Sequence, residues 1–524
     1  MKKIYFILLA FLPMMVCSQE RIMVIADPHV LAQSLVEEGE AFDNMMAGQR
    51  KMIDLSEAAF MALVDTALKH KPALVLIPGD LTKDSEKASH DVVCAQLKRL
   101  QDAGINSLVI PGNHDIGGKA FAYQGAEKVS VENLPDEAWE TQYAYVYAQA
   151  IAKDVDSHSF VAEPLIGVTI LGIHGSKDAA AIGTLSEETL VWLLAQADEA
   201  KAKGNMIIAM SHWQILEHFD MQGRMESACR FENADDLRDS LIQHGVHLVL
   251  TGHFHVNGIT TYRDTLSANL DSLVEISTGS PITYPCPYRW LTISKDRQTV
   301  SVETENISAL EAFPDLKTYS RDWMRVHTEN MVPQLAMRVW NRSDEILDKI
   351  RNNPKYGGPA LAAMLEMCIP ATDEEKINLV QKHFGKTAID LYILHSDANE
   401  PEHEEAATLA QAVYDGTEAF VMDMTSNVLF PTTQAMLVAL AKVLAEEPVQ
   451  SLTEDITEWR LVNFRDRTDD LHLALRINDS ETHTAIGETK AGNADNAIYD
   501  LLGRPVANPL QGGVYIQNGQ KMIR

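Results

Sequence analysis

Short apolar runs that stop abruptly at polar residues organise the first half of the chain. Residues 22–26, 74–78, 206–210 and 247–251 are largely apolar, partly β-branched runs of strand length, and another apolar strand ends just before Gly112. Between them, residues 91–103 place Val92, Val93, Leu97 and Leu100 at helical spacing, and residues 187–201 do the same with Leu190, Leu193 and Leu194. Strands separated by helices predict an α/β fold in which the strands share one sheet system.

The residues that follow each run matter more than the runs. Asp27-Pro28-His29, Gly79-Asp80, Gly112-Asn113-His114-Asp115, Ser211-His212 and Gly252-His253-Phe254-His255 each stand at or just past a strand end. Sites in open α/β sheets gather where strands stop. Any one block is weak, because an Asp after a strand is usually a turn residue or helix cap. A lone His there is more often structural. Five such ends together predict a metal site, and His with carboxylate suits Zn, Fe or Mn. No Cys occurs in these blocks, which argues against a thiolate zinc site.

The ordered blocks resemble the calcineurin-like metallophosphoesterases over roughly residues 20–305. The resemblance implies two packed mixed β-sheets flanked by helices, whereas periodicity alone reads only as α/β. It implies two metal ions, the first held by Asp27, His29, Asp80 and His255, and the second by Asp80, Asn113, His212 and His253. Asp80 would bridge them. Asn113 contributes a neutral oxygen and so limits carboxylate charge facing a phosphate. A hydroxide between the ions would attack the phosphorus. His114 would protonate the leaving alkoxide as general acid, with Asp115 orienting its imidazole.

Four further residues are weighed beside this set. His174 ends another apolar strand and reads equally as pocket lining or packing. Lys83 stands where the related purple acid phosphatases carry a Tyr ligand, which argues against that branch; a solvated lysine is its default reading. Arg289 offers a planar fork to a phosphate oxygen, while Pro281, Pro285 and Pro287 around it mark an extended loop. Trp213 is a candidate pocket wall.

The character of the chain changes near residue 308. Leu335, Val339, Ile346 and Ile350 recur at helical spacing, Thr372-x-x-Glu375 reads as a capping box, and Leu409, Val413, Phe420 and Met424 mark another helix. Residues 308–450 are therefore expected to form a helical domain, either capping the active-site cleft or mediating self-association. A strand pair is expected over 451–478 and a polar linker over 479–496.

The two ends carry location signals. Residues 1–18 have the charged start and short apolar core of a secretory signal peptide, too short to span a membrane. Val16 and Ser18 suit cleavage after residue 18. Lipidation of Cys17 is the other reading, against which stands Val16 where a lipobox has a small residue. Residues 497–524 resemble a type IX secretion sorting segment, with Tyr499-Asp500-Leu501-Leu502-Gly503-Arg504 and Gly513-Val514-Tyr515-Ile516 in place; a plain terminal β-hairpin is the alternative. A periplasmic, outer-membrane-associated or extracellular address is expected, with envelope attachment open.

The chain has 74 acidic and 44 basic side chains, a formal charge of −30. That balance disfavours nucleic acid or anionic membrane as a partner. Cys94, Cys229, Cys286 and Cys368 are widely spaced and predict no essential disulfide. The expected function is a dinuclear-metal phosphoesterase hydrolysing a small or exposed phosphate ester, diester or monoester. The alternative is a noncatalytic envelope binding protein that keeps the fold. Metal identity, substrate and oligomeric state are not legible.

Overall fold

A computed structural model of the chain describes residues 20–175, 182–218, 222, 229–263, 272–341, 343–352, 358–398, 405–425, 437–438 and 441. It also describes the backbone of five short strands within 464–523. Residues 1–18, expected as a signal peptide, and residues 479–496, expected as a linker, lie outside the described residues.

Two mixed sheets pack face to face. The first has six strands in the order His472–Arg476, Thr299–Asn306, Pro287–Ile293, Glu20–Val24, Leu74–Pro78, Asn106–Ile110. The second has eight, in the order Phe464–Asp466, Gly258–Arg263, Ser272–Ser277, Leu248–Thr251, Met206–Ser211, Val168–Ile173, Phe160–Leu165, Ala150–Lys153. Within each sheet, the strands that precede the polar blocks run parallel and lie next to one another. Their C-terminal ends therefore open on one edge of the sandwich.

The continuous apolar runs are explained by burial on both faces. In Met206–Ser211, Met206, Ile208 and Met210 join the core shared with the first sheet. Ile207 and Ala209 face the other way, against Leu193, Ala197 and Ala200 of helix Glu187–Lys203 and Leu237 and Leu241 of helix Ala234–Gln243. Each large apolar side chain so buried contributes about 1.5–3 kcal/mol. Outside the first sheet lie helices Ser56–His70 and Lys87–Asp102, whose Phe60, Leu63, Val93, Leu97 and Leu100 are buried. Helix Glu187–Lys203 starts at Ser186, whose hydroxyl accepts from the Thr189 N–H, and ends at Gly204 in the left-handed region.

Beyond Asn306 the described elements are helices up to Met424: Leu316–Glu329, Val332–Trp340, Ser343–Asn352, Gly358–Cys368, Asp373–Asp397 and Glu405–Met424. The capping box at Thr372 and Glu375 is formed on both sides. The expectation of a strand pair over 451–478 needs correction. Phe464–Asp466 pairs with Gly258–Arg263 and His472–Arg476 pairs with Thr299–Asn306, so each extends a different sheet. Each sheet edge left open N–H and C=O groups that a returning strand satisfies. At the C-terminal end, Ile498–Asp500, Val514–Gln517 and Gln520–Ile523 form a three-stranded antiparallel sheet. Among the described residues, no helix is long and apolar enough to cross a membrane, and Cys94, Cys286 and Cys368 are free thiols.

Candidate metal centre

Seven side chains from five turns meet at the common edge of the two sheets. Asp27, His29, Asp80 and His255 offer ligand atoms that all lie within 4.8 Å of one another, and so do Asp80, His212 and His253. In the first set, His29 Nε2 is 2.9 Å from His255 Nε2 and 3.5 Å from Asp80 Oδ2, and His255 Nε2 is 3.7 Å from Asp27 Oδ1. In the second, His212 Nε2 is 3.0 Å from Asn113 Oδ1, 3.0 Å from His253 Nδ1 and 3.4 Å from Asp80 Oδ1. Asp80 thus turns one carboxylate oxygen to each set.

These spacings fit metal ions. Donors about 2.1 Å from one ion, at angles between octahedral and tetrahedral, lie roughly 3.0–3.5 Å apart. A pair of imidazoles alone would form one hydrogen bond, but here the ring nitrogens of His29, His255 and His212 also face carboxylate or amide oxygens. His212 Nδ1 donates to the Pro78 carbonyl at 3.0 Å, which leaves Nε2 for the shared centre.

The backbone is bent to achieve this. Asp27, His29, Asp80, His253 and His255 all have φ between 42° and 68°, in the left-handed region that non-glycine residues avoid. Such residues cost on the order of 1–3 kcal/mol each and persist where the surroundings over-determine them. Space is equally tight. A Cβ at Gly112 would collide with the Asp80 carboxylate, and one at Gly252 with that of Asp27. The glycines in these blocks are therefore required by close approach.

Charge follows the same arrangement. Asp27 is raised well above the usual carboxylate range by burial, while Asp80, equally buried, is held well below it by the rings of His212, His114 and His29. His212 is pushed up to about 9: burial would lower it, but the neighbouring Asp80 carboxylate outweighs that. His29 and His255 are driven well below the usual range by burial and by the charge of Lys51. They are neutral imidazoles, the form that ligates metal.

His114 stands beside this centre, its ring 4.8 Å from that of His29 and edge-on to it. Its backbone N–H donates to Asp80 Oδ1 at 2.9 Å. The expected role of Asp115 needs correction. The Asp115 carboxylate accepts from the N–H groups of Leu81, Thr82 and Gly112 and from the Thr82 hydroxyl, tying the Asp80 turn to the Gly112 turn. Burial and the Asp80 charge raise it to about 7 against those hydrogen bonds. The group that holds the His114 imidazole is Asp84: Nδ1 donates to Asp84 Oδ1 at 3.0 Å and to the Lys83 carbonyl at 2.6 Å. A residue adjacent in sequence to His114 points away from the ring, whereas the turn across the gap faces it. Asp84 is brought down to about 2, burial being outweighed by the His114 hydrogen bond and Lys83.

The other weighed residues fall elsewhere. Lys83 is buried and ion-paired with Asp84 rather than solvated. Arg289 is fully buried, donating to Thr304 Oγ1 and the Ser277 carbonyl, and so joins the two sheets. His174 packs against His158, ring centroids 5.1 Å apart, and belongs to neither donor set. Trp213 lies under the second set, 5.0 Å from the His212 ring, packed on Phe231. Lys51, which no sequence motif marks, reaches the first set, with Nζ 3.4 Å from His29 Nε2.

His90 supports the Asp115 turn from below, bonded to the Asp115 carbonyl at 2.9 Å and to the Tyr143 hydroxyl at 2.7 Å. Burial lowers it to about 3. An unfolded histidine titrates near 6.5, so as pH falls from about 6.5 toward 3 the unfolded chain takes up a proton that the native protein refuses. Native stability is intact above that window and is lost through it. Between pH 6.5 and 4, this contributes up to about 3 kcal/mol of acid destabilisation. Urea midpoints in chelator should drop more steeply over that range for the wild type than for His90→Gln; equal slopes would contradict the assignment.

Residues 20–257 match the calcineurin-like phosphoesterase family. A probable cyclic nucleotide phosphodiesterase of Moraxella catarrhalis is 28% identical over 202 residues, covering 37% of this chain and 63% of that relative. A probable glycerophosphodiester phosphodiesterase of Arcobacter nitrofigilis is 25% identical over 174 residues, covering 32% of this chain and 54% of the relative. The chain thus spans less than two thirds of the length of these curated relatives. A solved dimetal phosphatase from Danio rerio aligns at 13% identity with a TM-score of 0.40, covering 55% of this chain and 96% of that one. The region that matches this family, residues 20–257, holds all seven donor residues at the ends of the central strands.

Proposed function

We propose that this protein is a metal-dependent phosphoric ester hydrolase acting on a small or exposed phosphate ester. The observation that carries the reading is Asp80, which offers one oxygen to each of two donor sets while His114 stands beside them. Two ions held there, Mn, Fe or Zn by donor type, would supply Lewis acidity at the phosphoryl oxygens and a nucleophile from water at neutral pH.

The chain's own residues do the rest. Asp27, His29 and His255 hold one side, and Asn113, His212 and His253 the other. In the imidazolium form, Asp84 and the Lys83 carbonyl hold the Nδ1–H of His114, and the second proton, on Nε2, is the one passed to the leaving alkoxide, leaving a neutral ring. Both curated relatives are named as phosphodiesterases, so the diester is the expected form. The signal-like residues 1–18 and the sorting-like residues 497–524 support an exported protein, which sequencing the N-terminus of the mature form would check.

The test is hydrolysis of bis(4-nitrophenyl) phosphate and 4-nitrophenyl phosphate by purified mature protein with Mn, Zn or Fe, or with chelator. Metal-dependent turnover of the diester above the monoester is expected. Metal binding without turnover of either ester would move the protein to a noncatalytic binding role.

A further inference from the structure

The helical segment does not stand apart from the metal centre. Met324 and Met331, near the end of helix Leu316–Glu329 and just past it, and Tyr392, in helix Asp373–Asp397, line a cleft of about 240 Å³ whose other wall is Arg50, Lys51 and the metal-site residue His255. The segment is anchored there. Tyr284, between strands Ser272–Ser277 and Pro287–Ile293, is buried with Met324 and Ile393, and the rings of Phe254 and His395 lie 5.7 Å apart.

Two features of the cleft bear on what it holds. The first is charge. In a chain of formal charge −30, two adjacent cations, Arg50 and Lys51, line this cleft, and the Asp80, Asp84 and Asp27 carboxylates of the site act on Lys51. Lys51 Nζ lies 3.4 Å from His29 Nε2, beside the first donor set, and the Arg50 guanidinium stacks 4.6 Å over the Tyr392 ring. Adjacent, partly buried cations on a cleft wall offer charge-assisted hydrogen bonds to an anionic ligand. The second is the opposite wall, where two methionines and an aromatic ring present adaptable apolar surface. A volume of about 240 Å³, somewhat below the range for drug-sized ligands, suits a small group.

Resting on the phosphoesterase reading above, we infer that this cleft seats the organic group of the ester. Lys51 contacts a phosphoryl oxygen, and Tyr392 with Met324 and Met331 selects a small aromatic or apolar substituent. The helical segment is then a specificity element, and the substrate class is phosphate esters of small aromatic or apolar alcohols.

Phenylphosphonate and methylphosphonate, neither of which is a substrate, separate this inference from catalysis. Calorimetry on the full mature protein with Mn should show phenylphosphonate binding at least about tenfold tighter. Tyr392→Ala should reduce that preference to below threefold, and Tyr392→Phe should keep it. Lys51→Ala should weaken both phosphonates by a similar factor of about ten or more. Equal binding of the two phosphonates by the wild type, or an unchanged preference in Tyr392→Ala, would overturn the inference. Such a failure beside metal-dependent hydrolysis of the chromogenic esters would leave the phosphoesterase reading standing. Absence of that hydrolysis is the separate result that removes the reading itself.

Discussion

Asp80→Ala is expected to lose both metal ions and to lower kcat/KM for the chromogenic diester by more than about 10³-fold, since metal stabilisation of a phosphoryl transition state is worth several kcal/mol. The reason is geometric. Asp80 is the residue whose two oxygens face different donor sets, 3.5 Å from His29 Nε2 and 3.4 Å from His212 Nε2. Removing any other donor damages one set, whereas removing this one damages both. A second readout avoids activity altogether. Ligand that binds only the native state raises stability by about 2.7 kcal/mol at one hundred times its dissociation constant. Saturating Mn should therefore raise the melting temperature of the wild type and leave that of Asp80→Ala nearly unmoved. A variant still carrying two metal ions per chain, measured by elemental analysis after gel filtration, would remove Asp80 from the bridging position.

His114→Ala is expected to behave differently. The link from His114 to Asp80 runs through its backbone N–H, which alanine keeps, so both ions should remain. Loss of the imidazole removes the proton donor, a contribution of typically 10²–10⁴-fold. The loss should be small for a 4-nitrophenolate leaving group, which departs without protonation, and large for an alkyl ester. Asp84→Asn should reproduce the dependence on leaving group in weaker form, because it removes the carboxylate that Nδ1 donates to and leaves the Lys83 carbonyl in place. Asp115→Asn should not share it, since that carboxylate binds backbone N–H groups of the two turns and not the ring. A leaving-group slope identical in wild type and His114→Ala would mean that the proton comes from elsewhere.

Much of the fold and of the donor set was legible before any coordinates. The runs before Asp27, Asp80, Asn113, His212 and His253 read as strands because both faces of each are buried, and the structure uses alternate residues of Met206–Ser211 for two separate cores. The helix over 187–201 was marked by its own residues and proved capped by Ser186 and Gly204. Less visible was anything that depends on two distant segments meeting. Asp115 looked like the partner of His114 because it is adjacent in sequence, but adjacency in a tight turn sends the two side chains different ways. The strands at 464–466 and 472–476 were legible as strands and not as additions to opposite sheets. Lys51 lies in a polar loop with no motif, so nothing local marks it.

The division has a physical origin. Which donors exist, and in what order, follows from the chain alone, because each ligand stands a fixed covalent distance past the strand that carries it. Chemistry of the donors follows too, since imidazole and carboxylate without thiolate suit a narrow group of metals. How those donors face one another does not follow. The left-handed backbone at Asp27, His29, Asp80, His253 and His255 is stable only when opposing turns from both sheets hold it. The assignment of one Asp80 oxygen to each set, the pairing of His114 with Asp84, and the cleft that joins Lys51 to Tyr392 depend on contacts between residues far apart in the chain. Long-range packing creates them, and no local propensity encodes them.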